Sequence, residues 1–303
     1  MYDLIIIGGG VSGLGAAMYA GRLNMKTLML GDNIGGTITL TDVVENYPGF
    51  ERLTGLELAE KLRKHAENYD VEMIEDKAKS IDKKDKKFII KTENKTYESK
   101  SILIATGSKH RELGVPGEKQ FEGKGVHTCA LCDGYFYKEK TIAVVGGSDS
   151  AGKEALLLTQ WGKKVYIIYR GEKIHPEPVN MKRIEANKKI EIINNTNVKE
   201  IKGDKLVNSV TLDKPYGGKN ELALDAVFIE IGATPMSQMA EKLGVKINNK
   251  KEIIIDRDSR TNVPGIFAAG DVVDTKFKQA ITGVGEAVAA VYSAYKYVNE
   301  SEL

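Results

Sequence analysis

Asp3-Leu-Ile-Ile-Ile-Gly8-Gly9-Gly10-Val-Ser-Gly13-Leu-Gly-Ala-Ala17 lies near the start of a 303-residue sequence. Thr141-Ile-Ala-Val-Val-Gly146-Gly147-Ser148-Asp-Ser-Ala151-Gly-Lys-Glu-Ala155 repeats it at an offset of 138 without a gap. The offset persists, because Lys26-Thr-Leu-Met-Leu30 lines up with Lys164-Val-Tyr-Ile-Ile168. Each copy is a β-branched apolar run, a glycine turn, a helix-permissive stretch and a second apolar run, the pattern of a βαβ unit of about 30 residues. The sequence therefore predicts an α/β fold with two dinucleotide-binding, Rossmann-like, three-layer domains.

Turn signals place the boundaries. Ser101-Ile-Leu-Ile-Ala-Thr106-Gly107 reads as a buried strand ending in a turn, and Leu113-Gly-Val-Pro-Gly117 reads as a linker. Ala226-Val-Phe-Ile-Glu-Ile-Gly232-Ala-Thr-Pro235 is a matching strand and turn, with a second crossing near Leu243-Gly244. Pro264 to Asp271 gives a third such strand, and Ala280 to Tyr297 has the periodicity of a terminal helix. The expected organisation is a discontinuous first domain, 1–113 plus 244–303, with a second domain, 114–243, inserted in it. Lys77 to Lys100 reads as a solvated β-meander whose Asp82, Asp85 and Glu93 offset much of its charge.

Composition narrows the partners. Lys plus Arg total 44 against 42 Asp plus Glu, a net charge of +2 that gives no electrostatic reason to expect nucleic acid. The longest charge-free run, Leu4 to Gly21, holds six glycines and follows Asp3, so neither a membrane span nor a signal peptide is expected. Two cysteines cannot make a disulfide framework, which points to a reducing, cytoplasmic setting.

Gly8-x-Gly10-x-x-Gly13 follows a strand and opens a helix, the context in which this spacing carries a mechanism. Gly8 permits the tight turn, Gly10 lets a pyrophosphate approach the backbone, and Gly13 allows close helix packing. Asp32, at the end of the second apolar run, is placed to hold a ribose hydroxyl. The second copy departs from this pattern: Ser148 stands where the middle glycine should be, and Tyr169-Arg170-Gly171-Glu172 offers a 2′-phosphate one arginine beside a repelling carboxylate. It reads as a fold kept for shape, and use of NAD(P)H is doubtful.

Cys129-Ala-Leu-Cys132, followed by Asp133-Gly134, has the spacing of a pair that can open and close a disulfide. Zinc usually takes four Cys or His ligands, and His127 could add only a third, so no metal is expected.

Taken together, Gly8-x-Gly10-x-x-Gly13, Gly35-Gly36-Thr37, Glu45-Asn46-Tyr-Pro-Gly49, Ala105-Thr106-Gly107, Cys129-Ala-Leu-Cys132-Asp133-Gly134, Gly232-Ala-Thr-Pro235, Gly270-Asp271 and Gln279-Ala280 resemble the low-molecular-weight thioredoxin reductase family over essentially the whole chain. The resemblance implies a flavoprotein disulfide reductase, an FAD-binding first domain and an NAD(P)H-type inserted domain carrying the cysteines. It implies FAD held by Gly8, Gly10, Gly13, Asp32, Gly35, Gly36, Thr37, Asn46, Thr106, Gly107, Gly270 and Asp271, with the Gln279 and Ala280 amides at the flavin. Cys129 would attack thioredoxin, Cys132 would face the flavin and Asp133 would be the acid. Family members that use NADPH have arginines where this chain has Gly171 and His175, and the eroded second site resembles ferredoxin-dependent flavin thioredoxin reductases. Ferredoxin is the expected donor, thioredoxin the expected acceptor and a homodimer the expected assembly. NADPH or NADH as donor, a dithiol oxidase and a flavin redox sensor without turnover are the alternatives.

Overall fold

A computed structural model describes residues 1–300, the side chain of Glu300 excepted. The chain runs through β1 (Tyr2–Ile7), α1 (Val11–Arg22), β2 (Thr27–Gly31), α2 (Gly55–Glu67), β3 (Val71–Glu75), β4 (Ser80–Lys84), β5 (Lys87–Lys91), β6 (Thr96–Ile104) and β7 (Ser108–His110). It continues through β8 (Val126–His127), α3 (Ala130–Asp133), β9 (Thr141–Val145), α4 (Asp149–Leu158), β10 (Lys164–Ile168), α5 (Pro178–Ala186), β11 (Ile190–Ile193), β12 (Val198–Gly203), β13 (Val207–Tyr216), β14 (Lys219–Ala223) and β15 (Ala226–Ile229). It closes with β16 (Ala233–Pro235), α6 (Gln238–Lys242), β17 (Ile266–Ala268) and α7 (Ala280–Glu300). Two compact units result, Met1–Lys109 with Thr234–Leu303, and His110–Ala233.

The first unit is built on one sheet of order β3-β2-β1-β6-β5-β4, with β17 also paired to β6. β1 is parallel to β2 and β6, in registers that set Ile5 beside Leu28 and Ile102. Successive side chains of a strand point to opposite faces, and a sheet covered on both faces needs apolar residues at every position. The run Leu4-Ile-Ile-Ile7 meets that demand. Leu4 and Ile6 pack with α1 and α7 on one face, while Ile5 and Ile7 join Phe88, Ile102 and Val272 on the other. α1 and α7 approach closely because both present small residues, Ala16, Ala17 and Ala20 against Ala287, Ala290 and Ala294. A Cβ on Gly15 would stand 2.9 Å from Val284 Cγ1. The lysine-rich stretch forms β4, β5 and the start of β6 as an antiparallel meander.

The second unit repeats the logic. Its sheet, β11-β10-β9-β15-β8, is parallel throughout. Ile142 and Val144 face Ala155, Leu158 and Ile184 of the helices, and Ala143 and Val145 face Val198, Ile201 and Val210 of the antiparallel β12-β13-β14 sheet. Helices, parallel sheet and meander make three layers.

The division between units differs from the boundaries read in the sequence. It falls at 109/110 and 233/234, not at 113/114 and 243/244. Packing is the reason. Ala240 of α6 and Val245 are buried among Ile5 and Ile7, and the Met236 amide donates to the Gly107 carbonyl at 3.0 Å. Leu113 and Val115 instead pack onto the core of the second unit. A short helix with one buried alanine gives little periodic signal, so the sequence does not mark this crossing.

Candidate functional site

In the first unit the β1 to α1 turn is forced by sequence. Gly8 adopts φ +127°, and a Cβ there would lie 2.0 Å from the Ala105 carbonyl oxygen. A Cβ on Gly13 would lie 1.9 Å from the Gly8 oxygen, so Gly13 serves the packing of α1 on the turn. Beyond this turn opens a cleft of about 500 Å³. Of the residues expected to bind a cofactor, Gly8, Gly10, Asp32, Gly36, Thr37, Thr106 and Gly107 line it. Gly35 sits beside the cleft, bridged to Gly10. Gly270 approaches Ser12 at the start of α1, which brings Asp271 to the same end of the sheet.

Asn46 and Gln279, 233 residues apart in sequence, meet through a 2.9 Å hydrogen bond from Asn46 Nδ2 to Gln279 Oε1. The Gln279 amide donates to the Thr282 hydroxyl at 3.0 Å. Ala280 begins α7 beside it. Asp32 pairs with Lys77 at 2.6 Å, and that ammonium holds its carboxyl below the usual range. Lys77 also lines the cleft and was not foreseen. Neither was Glu286, which accepts from the Gly270 amide at 2.9 Å and from the Thr275 hydroxyl.

The cleft fits an FAD. A Cβ placed on Gly10 would meet nothing nearer than Gly36 Cα, 3.9 Å away, so the backbone there is bare on its open side and a pyrophosphate can reach it. Asp32, Asn33, Thr37, Lys77, Thr106 and Gln238 place polar groups among a lining of glycines and apolar side chains.

The cysteines lie in the second unit, joined as a disulfide at the start of α3. The Cys132 amide donates to Cys129 Sγ at 3.1 Å. Cys129 is 7% exposed, whereas Cys132 is exposed. Of the two, Cys132 is the one a protein substrate can reach in this oxidised form. Asp133 Oδ2 lies 3.0 Å from His127 Nδ1, and His127 Nε2 lies 2.7 Å from the Tyr137 hydroxyl. Burial lowers the His127 pKa and Asp133 opposes that shift. His127 is therefore engaged in orienting Asp133, and among the described residues no cluster could hold a metal. Tyr135 and Phe136, just after the pair, are 66% and 74% exposed.

The sequence does not single out two carboxyls of the second unit, Glu154 and Glu230. The Ala130 amide, between the cysteines, donates to Glu154 Oε2. Burial pushes Glu154 up to about 7. Glu230, next after β15, is pushed up to about 8 by burial and by the Glu154 charge.

The second glycine turn is filled by the protein itself. Gly146 adopts φ +150° against the Glu230 carbonyl, as Gly8 does against Ala105. The ring of Tyr169, however, lies across Gly147, where an added Cβ would be 2.4 Å from it, and also closes over Gly171 and His175. Asp149, at the first position of α4, accepts from the Glu177 amide and Asn180 Nδ2, both at 2.8 Å, and pairs with Lys153 at 2.9 Å.

The sequence profile described as pyridine nucleotide-disulphide oxidoreductase matches residues 2–287. The chain is 40% identical over 305 residues to a thioredoxin reductase of Bacillus subtilis, covering 99% of this chain and 96% of that one. In structure it is similar to Lactococcus lactis thioredoxin reductase (FR conformation), with a TM-score of 0.95, 40% identity and coverage of 99% and 100%. It is also similar to a ferredoxin-flavin thioredoxin reductase from Clostridium acetobutylicum, with a TM-score of 0.55, 31% identity and coverage of 99% and 98%.

Proposed function

The chain belongs to the thioredoxin reductases of the pyridine nucleotide-disulphide oxidoreductase family, and from that premise we propose that it reduces a thioredoxin disulfide through Cys129 and Cys132 with electrons that do not come from NADPH. The observation that carries the acceptor side is the accessible Cys132 sulfur, flanked by exposed Leu131, Tyr135 and Phe136. Exposed aromatics around a nucleophile supply a docking surface at low entropic cost.

When bound, FAD supplies the two-electron store between donor and disulfide. Gly8, Gly10, Gly36, Thr37, Thr106 and Gly107 would hold it, with Asp32, Asn46 and Asp271 as further polar contacts. In the reduced protein Cys132 is the attacking thiol and Cys129 closes on it to release the product. The Cys132 amide already directed at Cys129 Sγ favours a thiolate there. Asp133, steadied by His127 and through it by Tyr137, is the acid for the departing thiolate.

The donor reading rests on the second turn. Tyr169 over Gly147, with Ser148 in place of the middle glycine, leaves no bare backbone for a pyrophosphate, and Arg170 is alone where a 2′-phosphate needs more. A single-electron carrier of the ferredoxin type meets that situation. The working form is read as a homodimer in a reducing compartment.

Anaerobic titration of the flavin-loaded protein with NADPH, NADH and photoreduced ferredoxin tests the donor: bleaching by ferredoxin and not by micromolar NADPH is expected, and rapid bleaching by NADPH defeats the reading. Cys129→Ser is expected to accumulate a stable mixed disulfide between Cys132 and thioredoxin, seen as a thiol-sensitive band. Accumulation in Cys132→Ser instead would return the attacking role to Cys129.

A further inference from the structure

Lys79, Lys87 and Lys91 pair with Glu93, Glu98 and Asp82, carboxylates of their own meander. Lys77 instead reaches back 45 residues to Asp32, with Nζ 2.6 Å from Oδ2. The pair leaves 60% of the Lys77 side chain and 63% of the Asp32 side chain exposed, and an ion pair so open to water contributes little to folding. Its place is what distinguishes it. Both residues line the cleft that fits FAD. Asp32 follows β2 and Lys77 follows β3, neighbouring parallel strands in register from Thr27 beside Val71 to Gly31 beside Glu75. Ligands of such sheets sit outside the carboxyl ends of the strands, where these two residues stand. The backbone around Lys77 is fixed on both sides: the Asp76 amide donates to the Ile74 carbonyl at 3.0 Å, Ala78 is buried among Ile5, Leu28 and Leu30, and the Lys79 amide donates to the Lys91 carbonyl at 2.8 Å. A long side chain is thus delivered to Asp32 from a rigid base.

An ionised carboxylate only accepts hydrogen bonds and an ammonium only donates them. Side by side they match a group that does both. A sugar hydroxyl is such a group, with a proton for the carboxylate and lone pairs for the ammonium, whereas a phosphate offers acceptors alone and is repelled by Asp32. We propose that Lys77 is a cofactor-binding residue that, together with Asp32, grips a ribose hydroxyl at the adenosine end of FAD. Asp32 accepts the hydroxyl proton, Lys77 donates to the hydroxyl oxygen, and the same ammonium fixes the carboxylate through Oδ2. An acid alone at the end of the second strand would hold the ribose by acceptance only; here recognition is two-sided. The inference rests on the reading of the cleft as an FAD site.

The test titrates full-length protein, stripped of its flavin, with FAD and with FAD analogues whose adenosine lacks the 2′- or the 3′-hydroxyl, binding being read from flavin fluorescence. Loss of the gripped hydroxyl is expected to weaken binding to native protein by about tenfold, the scale of a hydrogen bond to a charged group. In Lys77→Met that penalty should shrink to about twofold or less, and Lys77→Arg, which keeps the charge and the donors, should restore most of it. Native protein that binds both analogues as tightly as FAD overturns the proposal, and this arm needs no variant to fold. A penalty of equal size in native protein and Lys77→Met also overturns it, because a merely structural lysine weakens FAD and its analogues by one common factor. Native protein that takes up no FAD would overturn the reading of the cleft as well.

Discussion

The two glycine turns began as the same sentence and now say different things. At 8–13 the protein leaves a gap: Gly10 is bare, and Gly31 at the end of β2 tucks under Gly9, where an added Cβ would be 2.7 Å from the Gly9 nitrogen. At the corresponding places, 138 residues on, stand Ser148 and Tyr169, and the ring of Tyr169 covers Gly147. The first turn spends its backbone on a ligand and the second on its own side chains. Both keep the left-handed glycine, Gly8 or Gly146, because the strand-to-helix turn demands it whether or not anything binds. Retention of that glycine therefore reports fold, while the middle glycine and the residue ending the second strand report ligand.

The contrast breaks most visibly at the packing glycine. Gly13→Ala pushes a methyl into the Gly8 carbonyl, and flavin content after purification is expected to fall at least tenfold, read from the ratio of flavin to protein absorbance. The matching site already carries that methyl as Ala151, and Ala151→Gly should leave flavin content unchanged. A Gly13→Ala protein with full flavin would remove the basis for calling the first turn the occupied one.

A smaller effect is expected from opening the second turn. The double change Ser148→Gly with Tyr169→Gly restores the residue types of the first copy, and the rate of flavin bleaching by NADPH should rise several-fold in stopped flow without approaching the ferredoxin rate. No rise at all would mean that Tyr169 does not guard the turn.

The smallest effect concerns Asp149, whose carboxylate closes the start of α4. Burial pulls its pKa up, but the Asn180, Lys153 and Glu177 hydrogen bonds together hold it below the ordinary value. A carboxyl depressed in the folded state contributes stability above its unfolded pKa of about 3.9 and loses it as pH falls through the folded value. Asp149→Asn is expected to cost about 1–2 kcal/mol in urea unfolding at pH 7, and the difference should shrink in acid. An equal cost at pH 7 and pH 3 would show that shape and not charge is what the loop needs.

Much of this was readable before any coordinates. The repeat, the strand-and-helix periods and the β-meander all follow from local pattern, and the parallel sheets formed where continuous apolar runs such as Ile5-Ile-Ile7 required two covered faces. The disulfide followed from spacing. What local pattern does not carry is the meeting of distant side chains. Nothing in the neighbourhood of Glu154 announces that it accepts from the Ala130 amide, and Lys77, in a stretch that reads as a solvated meander, pairs with Asp32. The contact of Tyr169 depends on Gly147, which follows the neighbouring strand 22 positions earlier in the chain. The two cysteines of one motif differ in exposure, and spacing alone carries no sign of that difference.

One consequence lies in the seam between α1 and α7. The helix that follows the first glycine turn rests its alanine face on residues 287–294, from the far end of the same unit. During synthesis the inserted unit has all of its own partners as soon as residue 233 has emerged, while the unit that began first must wait with its core uncovered. The nucleotide cradle is thus written at the head of the message and finished at its tail, and a chain cut short before α7 is a ribosome's product that has its cysteines in place but no completed seat for the flavin they serve.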